Sequence, residues 1–224
     1  MIIIAEAGIN HHGSLDDAMK LVDAAKYAGA DAVKFQTFWN IYRLNDYELR
    51  TGQWIALKNY CDEQEITFLS TPHTFHAIHF LEDMVPMYKI ASQFLYNPNF
   101  LMEVANKGKP VILSTGSLNH INGMATTEEI MMALKWLHGT PQLSLLQCVS
   151  KYPCEDSHSE RIDELRKMCL NVGLSDHTKN LKPMKGLSIY EKHLKLSGTT
   201  PIDDEVSIDE HEFKRMVEYL RKKK

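Results

Sequence analysis

The chain has no apolar run near the roughly 18 residues that a membrane span needs. Its opening residues carry no basic segment and meet an acidic side chain at Glu6, so they do not read as a secretory signal, and a cytoplasmic protein is predicted. Cysteine is scarce, with four in 224 residues (Cys61, Cys148, Cys154 and Cys169) and no C-x-x-C pair. That excludes a disulfide scaffold and argues against ribbon-type zinc. Basic charge is not in excess: 25 Lys and Arg stand against 29 Asp and Glu, a net charge of −4. Setting aside the basic residues 221–224 makes the rest more acidic still, the wrong balance for a nucleic-acid partner. G-x-G-x-x-G, G-x-x-x-x-G-K-[ST] and G-x-S-x-G are all missing, which removes the usual dinucleotide, P-loop and nucleophile-elbow signatures. No Pro/Ser-rich linker divides the chain, so residues 1–224 read as one domain.

What is present is a repeat. Short apolar runs at 2–8, 31–36, 66–72, 87–92, 110–116, 143–150, 171–176 and 187–193 alternate with helical stretches. Their near-continuous apolar cores suit parallel strands covered on both faces. Ser14 is placed to cap a first helix that Gly29 ends, Thr126 to Glu129 form a capping box, and Ser207 to Glu210 form another. The connection at 178–185 is too polar and too short for a packing helix, and it contains Pro183. Eight strand–helix units predict a (β/α)8 TIM barrel of minimal size, with an open doubly wound sheet as the alternative.

In a barrel the C-terminal strand ends form the site. Here those ends turn polar together: Glu6, Lys34, Gln36, Thr71, Lys89, Ser92, Ser114, Ser150, Ser175, His177, Glu191 and His193. Two lysines among several hydroxyls suit a phosphate or phosphorylated carboxylate, although Lys34 has Glu6 as an alternative partner. His177 and His193 fall on neighbouring strand ends, about 4.8 Å apart. They can share one divalent ion such as Mn²⁺, Fe²⁺ or Co²⁺, or serve only as hydrogen-bonded histidines. His73, His76 and His79, spaced by three, read as a solvated helix face. Cys148, inside an apolar run, reads as an inert core thiol.

Eight blocks carry a resemblance: IIAEAGINHHG at 3–13, AGADAVKFQT at 28–37, FLSTP at 68–72, YKIAS at 88–92, ILSTG at 112–116, LQCVSKYP at 146–153, VGLSDHT at 172–178 and EKHL at 191–194. In that order they resemble the phosphoenolpyruvate-dependent sialic acid synthases, a family that includes the pseudaminic and legionaminic acid synthases. The resemblance implies a (β/α)8 barrel that condenses phosphoenolpyruvate with an aldose, an N-acetylated hexosamine or another aldehyde sugar. The products are a 2-keto-3-deoxy acid and phosphate. It implies a divalent metal, Mn²⁺ by family habit with Mg²⁺, Co²⁺ or Fe²⁺ also suitable, on His177 and His193. It places phosphoenolpyruvate on Lys34, Thr71, Lys89, Ser92, Ser114 and Ser175, and the sugar on Gln36, Tyr152 and Asp203, with Ser150 replacing a family asparagine. Lys89 and Glu6 are the catalytic candidates, Glu6 for moving a proton or orienting water.

The chain also departs from the family. The family's Ser-Gly-Glu is Ser92-Gln93-Phe94, Gly-Pro-Asp-His is reduced to Pro201-Ile202-Asp203-Asp204, and residues 117–123 read as an insertion. Relatives carry a C-terminal antifreeze-protein-like domain that covers the partner's sugar site, and a chain ending at Lys224 leaves no room for it. The expectation is therefore a synthase with an intact phosphoenolpyruvate and metal half and an unusual or smaller aldehyde acceptor. It would form a homodimer or use a partner chain over the sugar site. A metal-dependent barrel aldolase or isomerase, and a non-catalytic barrel holding a phosphorylated ligand, are the alternatives.

Overall fold

The computed structural model describes residues 1–38, 47–179 and 183–222. Eight parallel strands build the barrel: β1 Ile2–Gly8, β2 Ala32–Thr37, β3 Thr67–Pro72, β4 Tyr88–Ile90, β5 Val111–Ser114, β6 Leu143–Cys148, β7 Asn171–Asp176 and β8 Ile189–Lys195. They are hydrogen-bonded in the order β3-β2-β1-β8-β7-β6-β5-β4, and the two ends of that path, β3 and β4, lie against one another. Each strand starts within two residues of its expected run, β2 and β8 pass the expected end by one and two residues, and the barrel rather than the open sheet is the architecture.

The helices α1 Leu15–Ala28, α2 Thr51–Glu63, α3 Phe75–Leu81, α4 Pro98–Ala105, α5 Thr127–Trp136, α6 Ile162–Arg166 and α7 Glu210–Arg221 form the outer layer. Their ends follow local chemistry. Ser14 accepts from the Asp17 amide, Gly29 stops α1 in the left-handed conformation, and Thr126 with Glu129 closes a reciprocal box. The second expected box differs. Asp209, not Ser207, caps α7 by accepting from the amides of His211 and Glu212. Residues 207–209 are instead drawn into a short ninth strand, β9 Ser207–Asp209, parallel to β8. Ser207 Oγ bonds the Asp203 carbonyl at 2.6 Å, which ties that loop to the barrel mouth. Of the connection at 178–185, residues 180–182 lie outside the described residues. No helix among those described is long and apolar enough to cross a membrane.

Side chains alternate across each strand, so each contributes a series of inward positions. The first tier is Ile4, Ala32, Leu69, Met87, Ile112, Leu146, Gly173 and Ile189, and its apolar members pack into one plug inside the barrel. Gly173 is required there, because a Cβ would lie 2.3 Å from the Ile189 carbonyl oxygen. A separate, larger apolar core fills the space between strands and helices. The plug closes the barrel below the site, so anything bound at the mouth rests on a dry floor.

Candidate active site

Two residues further along every strand, the second inward tier turns polar: Glu6, Lys34, Thr71, Lys89, Ser114, Cys148, Ser175 and Glu191. All are buried, and all line one cavity of about 340 Å³. Lys34 Nζ lies 2.5 Å from Glu6 Oε2 and 3.8 Å from Glu191 Oε2, and it donates to Thr71 Oγ1 at 3.0 Å. Lys89 Nζ lies 3.2 Å from Glu191 Oε1, which also accepts from Ser175 Oγ at 2.8 Å. The floor is therefore two ammonium groups interleaved with two carboxylates. Buried charges of this kind persist only when paired and hydrogen-bonded.

The pairing separates the two lysines. Burial opposes the charge on Lys34, but Glu191 and Glu6 outweigh it and raise its pKa above the ordinary lysine value. For Lys89 burial prevails over Glu191, the like charge of Lys34 adds to it, and its pKa falls. Glu191 is held at about 2: burial pushes it up, but Lys34, Lys89, the Ser175 hydroxyl and His193 outweigh that. The sequence offered Lys34 two roles, holding an anion and pairing with Glu6, and the Glu6 pairing is present. In the folded chain both lysines are compensated by carboxylates. Ser114 Oγ is buried with no partner among the described residues. Ser92 Oγ holds the Gly116 amide at 3.0 Å.

The third tier forms the rim: Gly8, Gln36, His73, Ala91, Gly116, Ser150, His177 and His193. Gln36 donates to Glu6 Oε1 at 3.1 Å. Gly116 keeps the mouth open, since a Cβ there would meet Ser150 Oγ at 2.3 Å and Ser92 Oγ at 2.8 Å. Loops add Ser92, Tyr152 and Asp203, so all fourteen strand-end and substrate residues named from the sequence line this one cavity.

His177 and His193 stand with ring centroids 5.4 Å apart. His177 Nδ1–H donates to the Val149 carbonyl at 2.8 Å, which leaves the lone pair on Nε2. The Tyr152 hydroxyl approaches that nitrogen at 3.1 Å, and its ring lies over the imidazole at 4.2 Å. His193 Nδ1 is buried, 3.3 Å from Asp203 Oδ2 but without an aligned hydrogen bond. Burial would raise the Asp203 pKa, but His193 and His177 overcome this and lower it. Behind the two rings lies a second buried network. Asp176 accepts from Tyr190 Oη at 2.6 Å and from the Thr178 amide at 2.8 Å, and Lys192 Nζ donates to the carbonyls of Asp176 and Thr178. This network faces outward from the same strand ends and fixes the backbone on both sides of His177.

The pair fits a divalent ion. A separation of 5.4 Å lets one ion with metal–nitrogen bonds of about 2.1 Å touch both rings. No third His, Cys, Asp or Glu among the described residues joins them in ligating geometry. The donor set is therefore an open two-imidazole corner, its remaining positions left to substrate oxygens and water, which suits Mn²⁺ or Fe²⁺ better than closed structural zinc.

Three residues were read differently from the sequence. Cys148 is not a core thiol: it faces the cavity, 3.7 Å from Ser92 Oγ and 3.8 Å from His177 Nδ1. His73 is not on the helix that carries His76 and His79. Thr74 caps that helix, and His73 continues the β3 ladder through its amide to the Thr37 carbonyl. Phe94 does not take the place of a cavity-facing carboxylate. It turns outward to stack on Phe100 at 4.0 Å, and Gln93 lines the cavity instead. Counting alternate residues along β3 from Leu69 would have found His73. Glu191, named as a strand-end residue, is the central anion of the floor.

A wider groove of about 1330 Å³ runs alongside, between residues 119–128 and 149–161. It receives none of the second-tier groups, so its size does not make it the chemical centre.

Comparison with known proteins agrees with the geometry. The model of the NeuB family matches residues 39–224. A pseudaminic acid synthase of Campylobacter jejuni is 34% identical over 99% of this chain and 73% of its own length. An N,N'-diacetyllegionaminic acid synthase of Legionella pneumophila is 32% identical over 98% and 71%. The crystal structure of an N-acetylneuraminic acid (sialic acid) synthetase from Leptospira borgpetersenii, in complex with citrate, superposes with a TM-score of 0.87 at 30% identity. That superposition covers 97% of this chain and 81% of the other.

Proposed function

The chain belongs to the NeuB family, and from that premise we propose that it is a synthase joining phosphoenolpyruvate to an aldose. The products are a sialic-acid-like 2-keto-3-deoxy acid and phosphate. One observation carries the reading: a floor of paired lysines, carboxylates and hydroxyls lies directly beneath an open two-imidazole corner, inside a single cavity.

In this reading phosphoenolpyruvate lies on the second tier. Lys34 and Lys89 face its anionic groups, Thr71 and Ser114 donate hydrogen bonds to them, and Ser92 and Ser175 complete the same tier around it. The lysines already have carboxylate partners, so the hydroxyls set the orientation and the lysines supply the field. His177 and His193 hold the divalent metal, with Mn²⁺ the expected ion, and when bound it acts as a Lewis acid on the aldehyde of the acceptor. Tyr152, Gln36, Ser150 and Asp203 surround the acceptor. C3 of the enol ester forms a bond to the aldehyde carbon and the aldehyde oxygen becomes a hydroxyl. Water adds at C2 and gives up one proton, balancing the one taken up by the aldehyde oxygen, and the C2 hydroxyl loses the other as the keto group forms and phosphate departs with cleavage of its C–O bond. Glu6, 2.5 Å from Lys34 and hydrogen-bonded to Gln36, is placed to take the proton from that water. Residues 1–224 act as a single catalytic barrel, and a homodimer or partner chain completes the cover over the sugar.

The test incubates the protein with Mn²⁺, phosphoenolpyruvate and a panel of aldoses and follows phosphate. Release that requires both metal and aldose supports the reading. Thermal stabilisation by phosphoenolpyruvate with no release from any acceptor points to the non-catalytic barrel instead.

A further inference from the structure

His73 sits at the third inward position of β3, where the ring is held on three sides. Phe38 stacks on it with centroids 4.1 Å apart and 23° between planes, and the ring of Phe94 meets it edge-on at 5.7 Å. The Gln93 side-chain amide Nε2 lies 2.9 Å from His73 Nδ1. An amide nitrogen only donates, so Nδ1 carries the lone pair and the ring proton is on Nε2. That Nε2 is buried with no hydrogen-bond partner among the described residues, on a side chain that lines the cavity. Burial and the nearby lysines Lys34 and Lys89 push its pKa down to about 3, so it is a neutral donor at any working pH. An orphaned buried donor is destabilising, and native folds leave few without a reason.

Location narrows what it can meet. β3 and β7 stand four strands apart in a ring of eight, so His73 faces the His177 corner across the mouth. It lies one tier above Thr71 and Lys34, the floor assigned above to phosphoenolpyruvate. A molecule held by its aldehyde at the far corner and resting on that floor presents its other substituents to this wall.

We infer that His73 is a specificity-determining residue whose Nε2–H donates to an oxygen of the aldose acceptor other than the aldehyde oxygen. This rests on the synthase reading. Gln93 is the positioning residue, because the amide on Nδ1 keeps the proton on Nε2. Phe38 and Phe94 fix the ring plane, so one direction of approach is selected.

The test measures Mn²⁺-dependent phosphate release for the wild type and for His73→Phe, whose ring keeps the stack but lacks the donor. The substrates are a 2-acetamido-2-deoxyaldohexose and its singly deoxygenated or deacylated analogues. The substitution is expected to raise the acceptor KM about tenfold, with the phosphoenolpyruvate KM within twofold and thermal stabilisation by phosphoenolpyruvate retained. One analogue that is about tenfold worse for the wild type should be no worse for His73→Phe, identifying the oxygen concerned. Gln93→Glu, whose carboxylate accepts and so draws the proton to Nδ1, should reproduce the acceptor defect with His73 still present. Equal analogue penalties in wild type and His73→Phe, or a defect in the phosphoenolpyruvate KM alone, overturn the inference and leave the synthase reading standing. No aldose-dependent release by the wild type overturns both.

Discussion

His177 and His73 occupy the same inward tier on opposite strands of the barrel, and the folded chain gives them opposite tautomers. At His177 a backbone carbonyl accepts from Nδ1, so the lone pair of Nε2 is available within the cavity. At His73 a side-chain amide donates to Nδ1, so Nε2 presents a proton. The group behind the ring decides what the front of the ring can do. Under the proposed function, one wall offers a lone pair to a cation and the other a proton to an oxygen. The first is braced by the buried Asp176, Tyr190 and Lys192 network, whereas the second is braced by aromatic stacking.

Breaking the first wall has the largest expected effect. His177→Ala should abolish retention of Mn²⁺ through gel filtration and lower turnover about a thousandfold, the loss of several kcal/mol of Lewis-acid assistance. Metal analysis of the purified variant decides it, and wild-type stoichiometry there would place the ion elsewhere.

The floor beneath both walls comes next. Glu191→Gln leaves Lys34 and Lys89 short of a buried counter-charge, which should cost about 3–5 kcal/mol and lower the melting temperature by roughly 10 °C. Calorimetry showing a shift of under about 2 °C would mean that the ion pairs do not hold the floor.

The third prediction concerns buried neutral imidazoles. His11 is fully buried, and burial first, then the neighbouring His12, bring its pKa from 6.5 to about 4. Its folded pKa is depressed, so its contribution is complete above pH 6.5 and is lost as pH falls towards 4, because the unfolded chain binds the proton first. This imidazole alone should lower the stability read by denaturant titration by about 3 kcal/mol between pH 7 and 4. His73, lowered to about 3, adds a similar loss over the same window and carries it on to pH 3. His73→Phe should therefore roughly halve the fall between pH 6.5 and 4 and flatten the limb from pH 4 to 3.

The smallest effect is at Tyr152. Its hydroxyl lies 3.1 Å from His177 Nε2, the nitrogen proposed to hold the metal, so Tyr152→Phe should tighten Mn²⁺ binding about two- to tenfold while raising the acceptor KM. Calorimetric titration reads the first and steady-state kinetics the second. Weaker metal binding would show the hydroxyl to be a supporting group rather than a competitor.

The barrel and the braced wall were legible in the sequence because both depend on short-range pattern. Apolar runs that end in polar residues report strand direction and inward tier, and the SDHT and EKH blocks place each histidine between residues that face the other way. The second wall was not legible because its parts are settled by distant partners. Phe94 turns outward for Phe100, and that leaves the cavity side to Gln93 and the edge of the ring to His73. His73 itself was obscured by His76 and His79 at matching intervals, although Thr74 starts the helix only after it. Ser207 looked like a cap on local grounds, yet pairing with β8 claimed it.

The claim beneath all of this is that the cavity makes a carbon–carbon bond between two substrates. Uniformly ¹³C-labelled phosphoenolpyruvate, supplied with Mn²⁺ and an unlabelled aldose, tests it by mass spectrometry of the product. The account predicts one sugar acid carrying all three labelled carbons, formed in equal amount to the phosphate released. Labelled pyruvate beside unchanged aldose would contradict it.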